Sequence, residues 1–202
     1  MEPVSGGGAP PKVLLFDGSA NPGGSIAALL ERVREALGAE GVEAELARLE
    51  RNRFTGCTMC GECGHRRDLG CARPPVDGLR RCARRLLAAD GVVIGSPAYG
   101  AGVSPATQRL MAHLEQRRRV HGEQPLAGKV AAAVVDVRSA RAQHSLAVLT
   151  QWFHANGMIV VGHAGGTRRE GRPTAGQASE DAGAAMAALG RAVALTLERL
   201  RV

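Results

Sequence analysis

Four cysteines stand close together as Cys57-x2-Cys60-x2-Cys63-x7-Cys71. Thiolates at i, i+3 and i+6 can turn around one corner of a cuboidal cluster, and a fourth from further along closes it. Bacterial ferredoxins use a similar C-x2-C-x2-C run for [4Fe-4S]. A structural zinc site more often presents two separated C-x2-C pairs, so the spacing fits tetrahedral zinc less well. Free thiols or redox-active pairs are the third state open to this set. His65 falls between the ligands and reads as a solvated loop residue.

A second chemical stretch lies near the start, Phe16-Asp17-Gly18-Ser19-Ala20-Asn21-Pro22-Gly23-Gly24-Ser25. The apolar run Val13–Phe16 before it reads as a buried parallel strand. After it, Ile26, Leu29, Leu30, Val33 and Leu37 follow helical spacing along one face. A strand, a loop of small residues and a helix N-terminus together suit an anion, because glycines let the backbone come close and unpaired amides point outward. The alternative is an ordinary turn between strand and helix. Gly24 stands where a nucleotide P-loop needs its lysine, so hydrolysis of a nucleoside triphosphate is disfavoured. The dinucleotide pattern G-x-G-x-x-G is absent as well. Hydroxyls and amides without a lysine suit a monophosphate such as that of FMN.

A third loop of small residues, Ser96-Pro97-Ala98-Tyr99-Gly100-Ala101-Gly102-Val103-Ser104, carries the chain's single tyrosine. An aromatic ring there makes a better flavin contact than a core residue. Neither a Ser-His-Asp order nor H-E-x-x-H is present, and His144 and His154 are not at i, i+4 spacing. No side chain is assigned to acid-base catalysis.

Composition narrows the classes further. The chain has 202 residues, enough for one domain with a real core. Its net charge of +7 comes almost wholly from arginine, Lys12 and Lys129 being the only lysines. The arginines are scattered and aromatics do not interleave with them, which argues against nucleic acid as a partner. Residues 1–11 lack the basic and apolar segments of a signal peptide and read as a disordered tail. No apolar run reaches the length of a membrane span. Clustered cysteines without a secretion signal point to the reducing cytoplasm.

These residues need a frame to position them. Val42–Leu49 alternates as an edge strand, and residues from about 50 to 75 form a long cysteine-rich loop. Leu79, Cys82 and Leu86 mark the inner face of a helix, with Cys82 a buried apolar residue rather than a ligand. Gly91–Gly95 and Val130–Val135 read as central strands, and Met158–Val161 as another. Helices are expected through Leu110, Met111 and Leu114, over Ala142–Ala155, and at the end through Met186, Leu189, Val193, Leu197 and Leu200. Arg117-Arg118-Arg119 is placed beyond the first of these, and residues 162–176 form a loop rich in glycine and arginine. Trp152 and Phe153 are expected to pack into the core or a subunit interface. Strands alternating with helices imply an α/β fold: a doubly wound five-stranded parallel sheet of flavodoxin-like order 2-1-3-4-5, filling residues 12–202 as one domain. In that order loops 18–25, 50–75, 96–104 and 136–142 share the carboxyl rim of the sheet, with the ligand at the switch point.

With these loops in place, the chain resembles the NADPH-dependent FMN reductase family, and more narrowly its iron-sulfur flavoprotein branch. The markers are Gly18-Ser19 with Gly24-Ser25, Ala89-Asp90-Gly91, Gly95-Ser96-Pro97-Ala98-Tyr99, Leu126-Ala127-Gly128-Lys129 and Gly157-Met158. The resemblance implies that Ser19, Asn21, Gly24, Ser25 and the amide of Ile26 hold the FMN phosphate. It implies ring contacts from Pro97, Ala98, Tyr99 and Gly100 with Ser104 nearby, and a border to the pyrimidine edge from Asp136, Val137, Arg138 and Ser139. The family often carries arginine where Asn21 stands and Asn-Thr where Ser25-Ile26 stand, so fewer charge-assisted phosphate bonds are expected here.

Two functions follow from the resemblance. One is an enzyme that takes electrons from NAD(P)H and passes them to a flavin, quinone or other small acceptor, with Arg138 and Arg141 as candidate cations for the 2′-phosphate of NADPH. The other is an electron carrier with FMN and a [4Fe-4S] cluster that docks to a ferredoxin or a larger redox enzyme. A cysteine-loop binding module without flavin is the third and weakest reading. The resemblance also implies a homodimer or homotetramer.

Overall fold

The computed structural model describes residues 9–48, 77–100, 102–122, 124–136, 142–165 and 180–201. The cysteine-rich stretch with Cys57, Cys60, Cys63 and Cys71, residues 1–8 of the tail, Val137–Arg141 and residues 166–179 lie outside them.

Five strands make one parallel sheet: β1 (Lys12–Asp17), β2 (Glu43–Arg48), β3 (Gly91–Ser96), β6 (Val130–Val135) and β7 (Ile159–Gly165). Between β3 and β6 a small antiparallel pair intervenes, β4 (Ala98–Tyr99) with β5 (Gly102–Val103). The order is β2-β1-β3-β6-β7, which is 2-1-3-4-5 when only the strands of the large sheet are counted. The expected flavodoxin-like sheet is therefore the one observed.

Strand periodicity decides what lies on each face. Leu14, Phe16, Val92, Ile94, Ala131, Ala133 and Val135 point to one side. There they meet Cys82 and Leu86 of α2 (Asp77–Ala88), Leu110 and Leu114 of α3 (Pro105–His121), and Leu149 and Phe153 of α4 (Ala142–Ala155). Val13, Leu15, Val93, Val130, Ala132 and Val134 point to the other. They are covered by α1 (Ser25–Ala39) and α5 (Glu180–Leu200), whose inner residues are Ile26, Leu30, Val33 and Leu37 and Met186, Leu189, Val193 and Leu197. Burial on both faces explains why the central strands are uninterrupted apolar runs. Trp152 and Phe153 are core residues, their ring centroids 5.8 Å apart.

The structure corrects four local expectations. Arg117-Arg118-Arg119 lies within α3, which continues to a left-handed cap at Gly122 (φ 66°). β7 runs on to Gly165, where residues 162–165 were expected to be loop, because its backbone pairs with Ala132–Val135 after a register shift. Leu200 is exposed at the end of α5 and does not join its inner face. The loop after β3 is not plain loop but contains the β4–β5 hairpin. Among the described residues, no helix is long and apolar enough to cross a membrane.

Candidate functional site

The first loop is held by its own backbone and by its neighbours. Asp17, the last residue of β1, is wholly buried, and its Oδ1 accepts a hydrogen bond from the Ser19 amide at 2.8 Å. Further on, the Asn21 carbonyl accepts from the Gly24 amide at 3.1 Å and from the Ser19 hydroxyl at 3.2 Å. Gly23 takes φ 78°, a conformation that side chains resist, and this completes the turn into α1.

Gly24 is the N-cap of α1 and makes no side-chain cap hydrogen bond. A Cβ built on it would meet the Asn21 carbonyl oxygen at 3.2 Å and Asn21 Cβ at 3.3 Å. The first turn of α1 holds no acidic residue. The start of the helix thus keeps the positive end of its dipole without a capping side chain from position 24. That arrangement suits a phosphate, and the residues expected to hold one, Ser19, Asn21, Gly24, Ser25 and Ile26, lie together there.

Gly18 brings the first and second loops into contact. Its amide donates to the Gly95 carbonyl at 2.8 Å and its carbonyl accepts from the Ser104 hydroxyl at 2.6 Å. A Cβ at this position would lie 2.1 Å from Thr107 Oγ1, so only glycine fits without a shift. Ser104 is buried and is the N-cap of α3, its Oγ accepting from the Thr107 amide at 3.2 Å. Its own amide donates to Ser96 Oγ at 2.9 Å. The hydroxyl expected near the flavin ring is therefore placed beneath the rim, where it ties the two loops together.

The second loop carries Pro97, Ala98, Tyr99 and Gly100 outward on the hairpin. Gly100 makes the turn with φ 53°. Tyr99 is 59% exposed at the tip, outside the core. The hairpin is anchored from below: Ser145 of α4, fully buried, donates to the Gly102 carbonyl at 2.8 Å, and Gln108 Nε2 donates to the Val103 carbonyl at 2.9 Å. Asp136, just past β6, reaches back to α1, accepting from the Ser25 hydroxyl at 2.7 Å. Of the third loop, Val137, Arg138 and Ser139 lie outside the described residues.

Asp17, Thr107 and Ser145 were given no role in the sequence, although Asp17 carried a signal: a charged residue directly after the apolar run Val13–Phe16. Among the described residues, no three of His, Cys, Asp and Glu converge as a metal site. Cys82, apart from the cluster motif, is buried, and burial pushes its thiol up to about 12.

The model of the NADPH-dependent FMN reductase family matches residues 11–169 of this chain. The chain belongs to that family. An iron-sulfur flavoprotein of Methanocaldococcus jannaschii is 32% identical over 175 residues, covering 84% of this chain and 86% of the relative. Family membership makes the protein an FMN-binding flavoprotein oxidoreductase. Solved structures share the fold at lower identity. RosB, with bound 8-demethyl-8-formylriboflavin-5′-phosphate, superposes with TM-score 0.73 at 16% identity, covering 95% of this chain and 80% of that one. FerB, an NAD(P)H:(acceptor) oxidoreductase from Paracoccus denitrificans, gives TM-score 0.61 at 16% identity, covering 94% and 98%.

Proposed function

We propose that this member of the family takes electrons from NAD(P)H through FMN and passes them to a flavin, a quinone or another small acceptor. The observation that carries the reading is the capless start of α1 at Gly24, set on the same rim as the outward hairpin bearing Tyr99. Ser19, Asn21 and the amides of Gly24, Ser25 and Ile26 would hold the phosphate. Pro97, Ala98, Tyr99 and Gly100 would border the ring. FMN, when bound, supplies the hydride and single-electron chemistry. The chain's part is to orient the ring, to exclude water and to set the charge around it. Arg138 and Arg141 are proposed as cations for the donor's 2′-phosphate.

We further propose that Cys57, Cys60, Cys63 and Cys71 bind a [4Fe-4S] cluster. Their spacing supports this, as does the 32% identity to a protein named an iron-sulfur flavoprotein. The same support favours a second reading, in which cluster and flavin together make an electron carrier. The net charge of +7 suits docking to an acidic redox partner such as a ferredoxin. A homodimer or homotetramer in the cytoplasm accompanies either reading.

Anaerobic purification, followed by a visible spectrum with iron and FMN quantified on the same sample, tests these readings together. Flavin bands with broad brown absorbance and about four irons per chain support the cluster. Flavin without iron leaves the reductase and removes the cluster. A colourless protein that refuses added FMN overturns the phosphate reading. Stopped-flow mixing with NADPH and with reduced ferredoxin then separates enzyme from carrier by which of them bleaches the flavin.

A further inference from the structure

Asp136 lies just past the central strand β6, yet its side chain reaches the beginning of α1, far back in the sequence. The Ser25 hydroxyl donates to Asp136 Oδ2 at 2.7 Å across a separation of 111 residues. Ser25 is the first residue of α1, next to the Gly24 cap that offers no side chain of its own. A carboxylate from another loop therefore stands beside the positive end of a helix whose own first turn contains no acid.

Two consequences follow for an anion at this spot. A serine hydroxyl has one proton, and while Asp136 accepts it, Ser25 has none to donate to a phosphate oxygen. The carboxylate also repels a phosphomonoester, which carries most of two negative charges near neutral pH. A flavin without the phosphate meets neither penalty. Resting on the reading of the first loop as a phosphate cradle, we propose that Asp136 is a specificity-determining residue that lowers the preference for a phosphorylated over an unphosphorylated flavin. It does so through its charge and through its claim on the Ser25 hydroxyl.

The test uses the full chain freed of flavin by dialysis. FMN, riboflavin and inorganic phosphate are titrated by calorimetry, and the two flavins also by fluorescence quenching, into wild type, Asp136→Asn and Asp136→Ser. Asparagine keeps an amide oxygen that can accept from Ser25 and removes only the charge; serine removes the charge and the reach. FMN is expected to bind Asp136→Asn about tenfold more tightly, the size of one carboxylate acting on a dianion across an intervening hydroxyl in water-like surroundings. Inorganic phosphate should follow FMN, and riboflavin should stay within about twofold. Asp136→Ser should shift in the same direction, which guards against a folding defect particular to one variant. An unchanged FMN-to-riboflavin ratio in both variants, or an equal weakening of the two flavins, overturns the proposal and leaves the FMN reading standing. Wild type that binds neither flavin removes both.

Discussion

Asp17 and Arg48 are partners in the parallel register of β1 and β2, and their side chains form an ion pair at the carboxyl edge of the sheet. Arg48 Nε donates to Asp17 Oδ2 at 2.9 Å and a second guanidinium nitrogen closes on the same oxygen. The other oxygen, Oδ1, receives the Ser19 amide. A single buried carboxylate thus joins the root of the first loop to the last residue of β2, from which the cysteine-rich stretch departs.

Removing the arginine leaves that carboxylate buried without its counter-charge. Arg48→Ala should lower the stability to urea by roughly 2–4 kcal/mol, below the full cost of a wholly buried pair because the guanidinium is partly exposed. Arg48→Lys should fall between, since an ammonium cannot reproduce the forked donation. Equal midpoints and slopes for all three proteins would mean that the pair contributes nothing.

Gly18 is the tightest point of the site. Gly18→Ala must displace Thr107, whose Oγ1 would lie 2.1 Å from the new methyl, and press on the Gly95 carbonyl at 3.0 Å. A loss of roughly 1–3 kcal/mol is expected, as for other overpacked sites. Thr107→Ala alone removes a hydroxyl that hydrogen-bonds Ser104 at 3.0 Å. Combined, the two changes should cost less than their sum, because the second removes the atom with which the first collides. Strict additivity in thermal or urea unfolding would sink this account.

The three central strands of the main sheet were legible because they are buried on both faces and therefore read as unbroken apolar runs bounded by glycine or aspartate, and β2 because it alternates as an edge strand does. The hairpin was not, since strands as short as Ala98–Tyr99 and Gly102–Val103 contain too few residues to display an alternation. Arg117-Arg118-Arg119 resembled the solvated end of a helix, and the better signal lay at Gly122, a residue able to adopt the left-handed cap. The last residues of β7, Gly162–Gly165, carry no apolar pattern, as expected of an edge strand held there by backbone pairing. In the candidate site the loop residues were visible by type, but their long-range partners were not. The pairs Asp17–Arg48, Gly18–Ser104 and Ser25–Asp136 are separated by 31, 86 and 111 residues, and nothing local encodes them.

Cys82 gives a pH prediction with a definite sign. Burial is the main cause that raises its thiol from 9.0 to about 12, with a smaller upward push from Glu45 and an opposing one from Arg85. Below about pH 9 the thiol is protonated in both folded and unfolded chains and stability is indifferent to it. Between that pH and about 12 the unfolded chain loses the proton and the folded chain keeps it. Stability then falls as pH rises, by up to about 1.4 kcal/mol per pH unit for this one group. Cys82→Ala should be less stable at neutral pH yet show a shallower alkaline decline. Parallel curves for the two proteins from pH 8.5 to 11 would exclude the linkage.

Ser145 governs how firmly the Tyr99 hairpin is held. It lies in the first turns of α4, is fully buried, and spends its hydroxyl on the Gly102 carbonyl at the base of β5. Ser145→Ala leaves that carbonyl short of a donor in a buried place, a cost of about 1–2 kcal/mol. Because β4 and β5 are only two residues each, the sheet bonds within the hairpin cannot absorb such a loss on their own. The penalty should therefore appear locally: amide exchange at Tyr99 and Gly102 should quicken by roughly five- to thirtyfold, the equivalent of that cost. Exchange in β1 and β6 should stay within about twofold, since the core beneath keeps its packing. Ser145→Thr, which retains a hydroxyl, should recover part of the protection if the added methyl is accommodated. Uniform acceleration across the sheet in Ser145→Ala would instead make Ser145 a general core residue, with no particular hold on the Tyr99 hairpin.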